Sequence, residues 1–472
     1  MTTFVDLCSD SPIVDAETAQ FTPRQADVFP VGPHAPGLDI VGAGTTVPLA
    51  TGGSIEYANL DHGASAPALR AVKETVDAVL ERYASVHRGA GFHSQLCTSL
   101  YEGAREPIRQ FVGGRADDAV IYTRNTTDSF NLLAHCLPAG TTVIVFETEH
   151  HAALLPWRGH RVIRLAAPDS PAAAVDAVER AVALAPEGPK LVVVTGASNV
   201  TGEIWPIADL ADAAHAGGAR LALDAAQLAP HRPFSISEFG ADYVALSGHK
   251  LYAPYGSGVL VGRADWLAEA PPYLVGGGAT ATVGDHSTTW KPLPERHEAG
   301  TPNVAGVVAL ATACHVLRQA DPYALADIES RLSERLSSEL ARIPGVTVHS
   351  LWGPAADSIG VVTFTLKSLP ANLVASALSA EWGIGVRDGA FCAQPFVRKL
   401  LGDAGCASPD GSGHAIRASI GLGTTGEHVE RLLAAVRRLA EFGPALEYTV
   451  VDSRPQPVAD VREQPVLAPW LG

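Results

Sequence analysis

Positive charge is what this sequence has too little of: 34 Lys and Arg stand against 50 Asp and Glu, for a formal net charge of -16. So acidic a chain repels phosphate backbones and anionic headgroups, and neither nucleic acid nor a membrane is expected as a partner. Long apolar runs are missing as well, since no stretch approaches the ~20 residues of a membrane-spanning helix. The six cysteines are scattered, with no CxxC pair, which speaks against a zinc ribbon or a disulfide framework and suits a reducing cytoplasm. Met1 to Asp10 is acidic and has no basic stretch followed by an apolar one, so no secretory leader is expected. A Walker loop and an HExxH pair are both absent, which makes nucleotide and zinc-protease readings poor.

What is present is 47% apolar residues in a chain of 472, enough for one large and one smaller domain. Residues 1–54, rich in Pro, Gly, Thr and Asp, read as an arm of extended chain or loops that crosses a dimer interface and packs in part on the smaller domain. Residues 55–304 form the expected large domain. Short apolar strands at Ala119–Tyr122, Thr142–Phe146, Leu191–Thr195, Leu221–Leu223 and Tyr243–Leu246 alternate there with helical stretches, the signature of βαβ units and a mainly parallel sheet covered on both faces. Pro67 to Tyr83 places Leu69, Val72, Val76, Val79 and Leu80 on one helical stripe. From 305 to 443 a smaller α+β domain is expected. A helix over Ala305–Gln319 could bridge the two domains; others run over Ala324–Ile343 (Ile328, Leu332, Leu336, Leu340 and Ile343 on one face) and Glu427–Phe442, with strands at Val346–His349 and Gly360–Leu366. Residues 444–472 read as an irregular, Pro-containing tail.

The chemistry centres on Ser247-Gly248-His249-Lys250, which follows the strand Tyr243–Leu246. A lysine at the mouth of a buried strand is costly, and desolvation lowers its pKa, which is what an imine-forming amine needs. Asp224 ends the strand Leu221–Leu223, and ligands of open parallel sheets bind beyond the carboxyl ends of the strands. A lysine and an acid at two such ends suit pyridoxal 5'-phosphate (PLP): the amine holds the aldehyde and the carboxylate keeps the pyridine nitrogen protonated. A buried ion pair would use the same two residues.

Asn125-Thr126-Thr127-Asp128 opens a helical stretch where a phosphate could be held, Thr127 being the natural hydroxyl donor, though plain N-capping needs the same residues. Ser247 and His249 could reach that phosphate. His150 could stack on the pyridine ring and join in proton transfer. His150, His151, His249 and Cys392 are a competing metal-ligand set, but no paired-ligand spacing supports it. Arg417, in Ala415-Ile416-Arg417-Ala418-Ser419, suits a substrate α-carboxylate or an ordinary salt bridge. Cys392, in a loop of glycine and small residues, could present its thiol to a ligand or could be a small buried hydrophobe.

Taken in order, these segments resemble the class V aminotransferase family and, within it, the SufS-like cysteine desulfurase and selenocysteine lyase branch. The match runs over roughly 55 to 440, through Tyr57-Ala58-Asn59-Leu60-Asp61, Val86-His87-Arg88-Gly89, Glu149-His150-His151-Ala152 and Ala197-Ser198-Asn199-Val200-Thr201-Gly202. It continues through Asp224-Ala225-Ala226-Gln227, Ser247-Gly248-His249-Lys250, Gly276-Gly277-Gly278, Glu298-Ala299-Gly300-Thr301-Pro302-Asn303, Arg387-Asp388-Gly389 with Cys392-Ala393-Gln394-Pro395, and Arg417. The resemblance implies a homodimeric PLP enzyme of fold type I, with a large domain built on a mainly parallel, seven-stranded-type sheet sandwiched by helices. It implies that Lys250 bonds the cofactor, Asp224 holds its pyridine nitrogen, Gln227 its ring hydroxyl, and His150 its ring face, while Asn199 orients cofactor and substrate.

By the same resemblance, Thr126, Thr127, Ser247 and His249 take the phosphate together with Thr301 of the neighbouring subunit. Arg417 binds the carboxylate of L-cysteine or selenocysteine, and Cys392 accepts sulfur as a persulfide that passes to a SufE- or SufU-like protein. The alternative is another reaction of the family, such as transamination, β-elimination or epimerisation, with Cys392 not catalytic. One departure concerns the loop itself: where the family often carries His before the sulfur-accepting cysteine, this chain has Ala390-Phe391.

Overall fold

The computed structural model describes residues 38–403 and 413–471. Most of the expected N-terminal arm (1–37), with Cys8, and also Cys406 lie outside the described residues. A seven-stranded sheet forms the larger body: β1 (Ala119–Thr123), β2 (Thr142–Phe146), β3 (Arg161–Leu165), β4 (Lys190–Thr195), β5 (Arg220–Asp224), β6 (Tyr243–Ser247) and β7 (Gly258–Gly262). Their spatial order is β1-β7-β6-β5-β4-β2-β3. The pairs β6–β5, β5–β4, β4–β2 and β2–β3 are parallel, whereas β7 runs antiparallel to both β6 and β1.

The central strands are apolar without a break because both faces are covered. Their period of two shows in the cores. Ile144, Phe146, Val192, Val194, Leu221, Leu223, Val244 and Leu246 pack on one side, and Val143, Val145, Leu191, Val193, Ala222 and Ala245 on the other. At Gly258 a Cβ would lie 2.6 Å from Asn125 Cα, so glycine lets β7 start against the turn that opens the helix Thr126–Cys136.

The smaller body is an antiparallel sheet, Val346–His349, Val361–Leu366, Ala415–Ser419 and Arg387–Gly389 in that spatial order, covered by the helices Pro322–Leu340, Ala371–Trp382 and Gly426–Phe442. Residues preceding the large sheet belong here too. Ala58–Asn59 pairs in parallel with Ile384–Gly385, and Leu60 is buried in this core. The chain crosses to the larger body at Asp61–Gly63. The long helix Val304–Gln319, capped by Asn303, makes the second passage.

Three expectations need correction. The first stripe helix spans Arg70–Leu80 with Leu80 exposed, since that side chain lies one residue past the buried row of Val72, Val76 and Val79. The helix expected over Ala324–Ile343 spans Pro322–Leu340, started by the Asp321 cap, and its Ile328 is exposed. The tail is not irregular throughout. Tyr448–Val451 and Arg454–Pro457 form a hairpin, fixed to the small domain by Tyr448 Oη donating to Glu381 (3.0 Å) and by an Arg454–Asp388 ion pair (3.0 Å). No helix among the described residues is long and apolar enough to cross a membrane.

Candidate active site

A cavity of about 400 Å³ opens beyond the carboxyl ends of β4, β5 and β6, closed from above by the loop that follows Arg387–Gly389. That size is ordinary for a small-molecule site. Of the residues singled out from sequence, Thr126, Thr127, His150, Asn199, Asp224, Gln227, Ser247, His249, Lys250, Cys392 and Arg417 all line it. Thr301 does not line the cavity of its own chain. Among the described residues no group of three or more His, Cys, Asp or Glu could hold a metal ion.

Asp224 is the last residue of β5 and is fixed by the sheet, while Lys250 follows the adjacent strand β6 by three positions in a turn whose Lys250 amide donates to Ser247 O at 3.3 Å. Burial drives the Lys250 amine down from 10.5 to about 8, against the upward pull of Asp224, while Arg417 pushes it down further. Burial raises the Asp224 carboxyl, opposed by the Ala226 amide that donates to Oδ1 at 2.9 Å and by the charge of Lys250.

His150 accepts the Ala152 amide on Nδ1 at 3.0 Å, so the hydrogen of its neutral ring is on Nε2. Burial, with Lys250 nearby, holds its pKa at about 3. It therefore enters any reaction at neutral pH as an uncharged imidazole. Behind it Glu149 is fully buried; desolvation and then Asp224 push its carboxyl well up, and Oε1 accepts the Thr195 amide at 3.0 Å.

At one end of the cavity the helix Thr126–Cys136 begins, capped by Asn125, which accepts the Asp128 amide at 3.0 Å. The Ser247 hydroxyl oxygen is 2.8 Å from both the amide and the hydroxyl of Thr126. An anion is favoured here by the helix dipole and by the Thr127 amide, which has no partner among the described residues while the Thr126 and Asp128 amides on either side of it are bonded. Two buried atoms elsewhere in the cavity lack partners: Oε1 of Gln227, whose Nε2 donates to Gly63 O at 2.7 Å, and Nε of Arg417. Orphaned polar atoms in a cleft mark groups that a ligand satisfies. The donor set fits PLP, with an amine, an acid, an aromatic face and an anion cradle placed around one cavity.

The opposite wall comes from the smaller body. Arg417 is 3% exposed; Nη1 donates to Asn199 O at 2.8 Å and Nη2 reaches Asp61 Oδ1 at 3.4 Å. Phe391 and Cys392 both adopt left-handed backbone, with φ of +50° and +53°. Each such non-glycine residue costs on the order of 1 kcal/mol. Holding them are Asn199 Nδ2, 2.7 Å from Phe391 O, and the His151 amide, 2.8 Å from Cys392 O. Cys392 is exposed, whereas Cys97, Cys136 and Cys314 are buried. Sequence reasoning missed Asp61 as the partner of Arg417, the His151 amide as a clamp, and the fully buried Glu149 with its raised pKa. None of the three has a local signal, because each depends on contacts far apart in the chain.

Comparison with known proteins gives the chain's relatives. A family model described as aminotransferase class-V matches residues 58–432. A probable cysteine desulfurase of Halalkalibacterium halodurans is 34% identical over 395 residues, covering 81% of this chain and 93% of its own. Among solved structures, the cysteine desulfurase CsdA of Escherichia coli, in an S-sulfonic acid form, has a TM-score of 0.71 and 31% identity, covering 82% of this chain and 95% of that one. The apo cysteine desulfurase of Thermococcus onnurineus NA1 has a TM-score of 0.72 and 30% identity, with coverage of 82% and 95%.

Proposed function

Because the chain belongs to the class-V aminotransferase family and has the fold of its PLP fold-type I members, we propose that it is a PLP-dependent cysteine desulfurase. The observation that carries the reading is the placement of Lys250 and Asp224 on adjacent strand ends, across one cavity from an exposed Cys392. Lys250 would bond the cofactor and Asp224 its pyridine nitrogen. His150 would face the ring, Gln227 the ring hydroxyl, and Thr126, Thr127, Ser247 and His249 the phosphate, with Thr301 contributed by a second subunit of a homodimer. When bound, PLP supplies an aldehyde that takes the substrate amine and a ring that accepts electrons from the α-carbon.

The chain's own residues do the rest. Arg417 binds the α-carboxylate of L-cysteine through its unpaired Nε and weakly held Nη2, the side-on fork of a guanidinium. Lys250 Nζ, with its lowered pKa, takes the α-proton and later returns one to carbon. The thiolate of Cys392 attacks the substrate sulfur: an S–S bond forms, the substrate C–S bond breaks, and its electron pair stays on carbon. L-cysteine and the Cys392 thiol thus become L-alanine and a Cys392 persulfide, with atoms and electrons balanced and no external oxidant. Selenocysteine fits the same steps. A persulfide must be passed on, so a SufE- or SufU-like thiol protein in the cytoplasm is the proposed acceptor.

The test is to incubate the PLP-loaded protein with L-cysteine and quantify alanine and persulfide sulfur. Equal amounts are expected, with a loss of at least ~100-fold in Cys392→Ala. Pyruvate and sulfide released equally by both proteins would mean a β-eliminating lyase instead, and amino transfer to a keto acid an aminotransferase.

A further inference from the structure

The residue before the exposed cysteine has no part in the scheme above, yet it touches each element of the site's upper wall. Phe391 is 8% exposed and packs among Val200, Ala393, Phe396 and Val397. Its ring faces the Arg417 guanidinium, whose central carbon is 5.2 Å from the ring centroid. Its carbonyl accepts from Asn199 Nδ2, and the backbone oxygen of the same Asn199 accepts from Arg417 Nη1. Phe391, Asn199 and Arg417 therefore form a closed circuit of contacts. Cys392 follows directly, its own carbonyl held by the His151 amide.

Two consequences follow from this circuit. An aromatic face against one side of a guanidinium favours the parallel or near-parallel plane and resists rotation about the side chain. With Nη1 committed to Asn199, the orientation of the plane decides whether the Nε edge faces the cavity. The backbone of Phe391 in turn sets where the next Cα, and hence the thiol, stands. We propose that Phe391 is a positioning residue that ties the carboxylate-binding Arg417 to the sulfur-accepting Cys392, so that substrate anchoring and thiol placement are set by one side chain. The proposal rests on the desulfurase reading for the roles of those two partners.

Phe391→Leu removes the aromatic face but keeps apolar volume, and Phe391→Tyr keeps the face. In the PLP-loaded protein the Leu variant should raise KM for L-cysteine about tenfold, equivalent to ~1.4 kcal/mol, and also lower kcat, while the Tyr variant stays within about twofold of wild type. Independently of turnover, iodoacetamide labelling of the Cys392 peptide, followed by mass spectrometry on cofactor-free protein, should change in rate by at least about threefold in Phe391→Leu and little in Phe391→Tyr. Wild-type KM together with a wild-type labelling rate in Phe391→Leu overturns the proposal, as does a Tyr variant impaired as badly as Leu. If the Leu protein does not fold, Phe391→Met carries the same comparison. A wild-type protein that makes no persulfide would defeat the desulfurase reading, while the labelling comparison would still judge Phe391.

Discussion

The two walls of the cavity are built by different means. Below, Lys250 and Asp224 stand on strands whose position is set by the whole seven-stranded sheet and by two buried cores. Above, Cys392 stands on a loop with two successive left-handed residues, kept in place by one side-chain amide, one backbone amide and a ring on a guanidinium. The lower wall is over-determined and the upper wall is held by few bonds. It follows that cofactor chemistry and thiol presentation can be damaged separately.

The largest separation should come from Lys250→Ala. Visible absorbance of bound PLP should vanish and desulfuration fall by at least ~1000-fold. Labelling of Cys392 should fall far less, by about threefold at most, because no hydrogen bond of the upper wall involves Lys250 and only its charge acts on the thiol. A large change in labelling would show the walls to be coupled. Next is a pH effect confined to the lower wall. The reactive form of Lys250 is the free amine, and burial lowers its pKa to about 8, so this form is lost as pH falls through 8 and gained as pH rises through it. Imine formation between cofactor-free protein and added PLP, followed by absorbance, should rise with a midpoint near 8; a midpoint near the ordinary 10.5 would contradict the burial argument. The smallest effect belongs to Arg454→Ala. The tail's ion pair to Asp388 braces the strand that leads into the Cys392 loop, but Arg454 is 66% exposed, and exposed pairs contribute at most ~1 kcal/mol. Labelling and KM should each move less than about twofold.

The same asymmetry governs how much the sequence reveals. Strand ends carry local signals: an apolar run followed by Ser247-Gly248-His249-Lys250, and another ending in Asp224, announce the lower wall before any coordinates are known. The core strands β2, β4, β5 and β6 lie where their apolar runs place them. The antiparallel course of β7 is not written in its own residues, because Gly258–Gly262 reads like any buried strand and its direction depends on where β1 closes the sheet. Contacts of the upper wall are less legible still. Asp61 and Arg417 are separated by most of the chain, and Asn199 and Phe391 by nearly half of it. Their meeting depends on how two bodies dock, which no local pattern encodes. In the tail, Tyr448–Val451 alternates poorly and contains no glycine turn, yet Asp452 and Ser453 take left-handed backbone and close the hairpin.

The crossing at Asp61–Gly63 bears on how the cleft can move. Upstream of it the polypeptide pairs with Ile384–Gly385 of the small body, and downstream Gly63 meets Gln227 on the floor of the site. Among the described residues the helix Val304–Gln319 is another passage, and so is the stretch from Ile40, paired with Leu69, to Ala50, whose amide donates to Ala380 O, so the two bodies are joined at several points, one of them at the threshold of the catalytic chamber. Any swing of the small body would carry Arg417, Phe391 and Cys392 together as one panel, so substrate capture and sulfur delivery would open and shut in step.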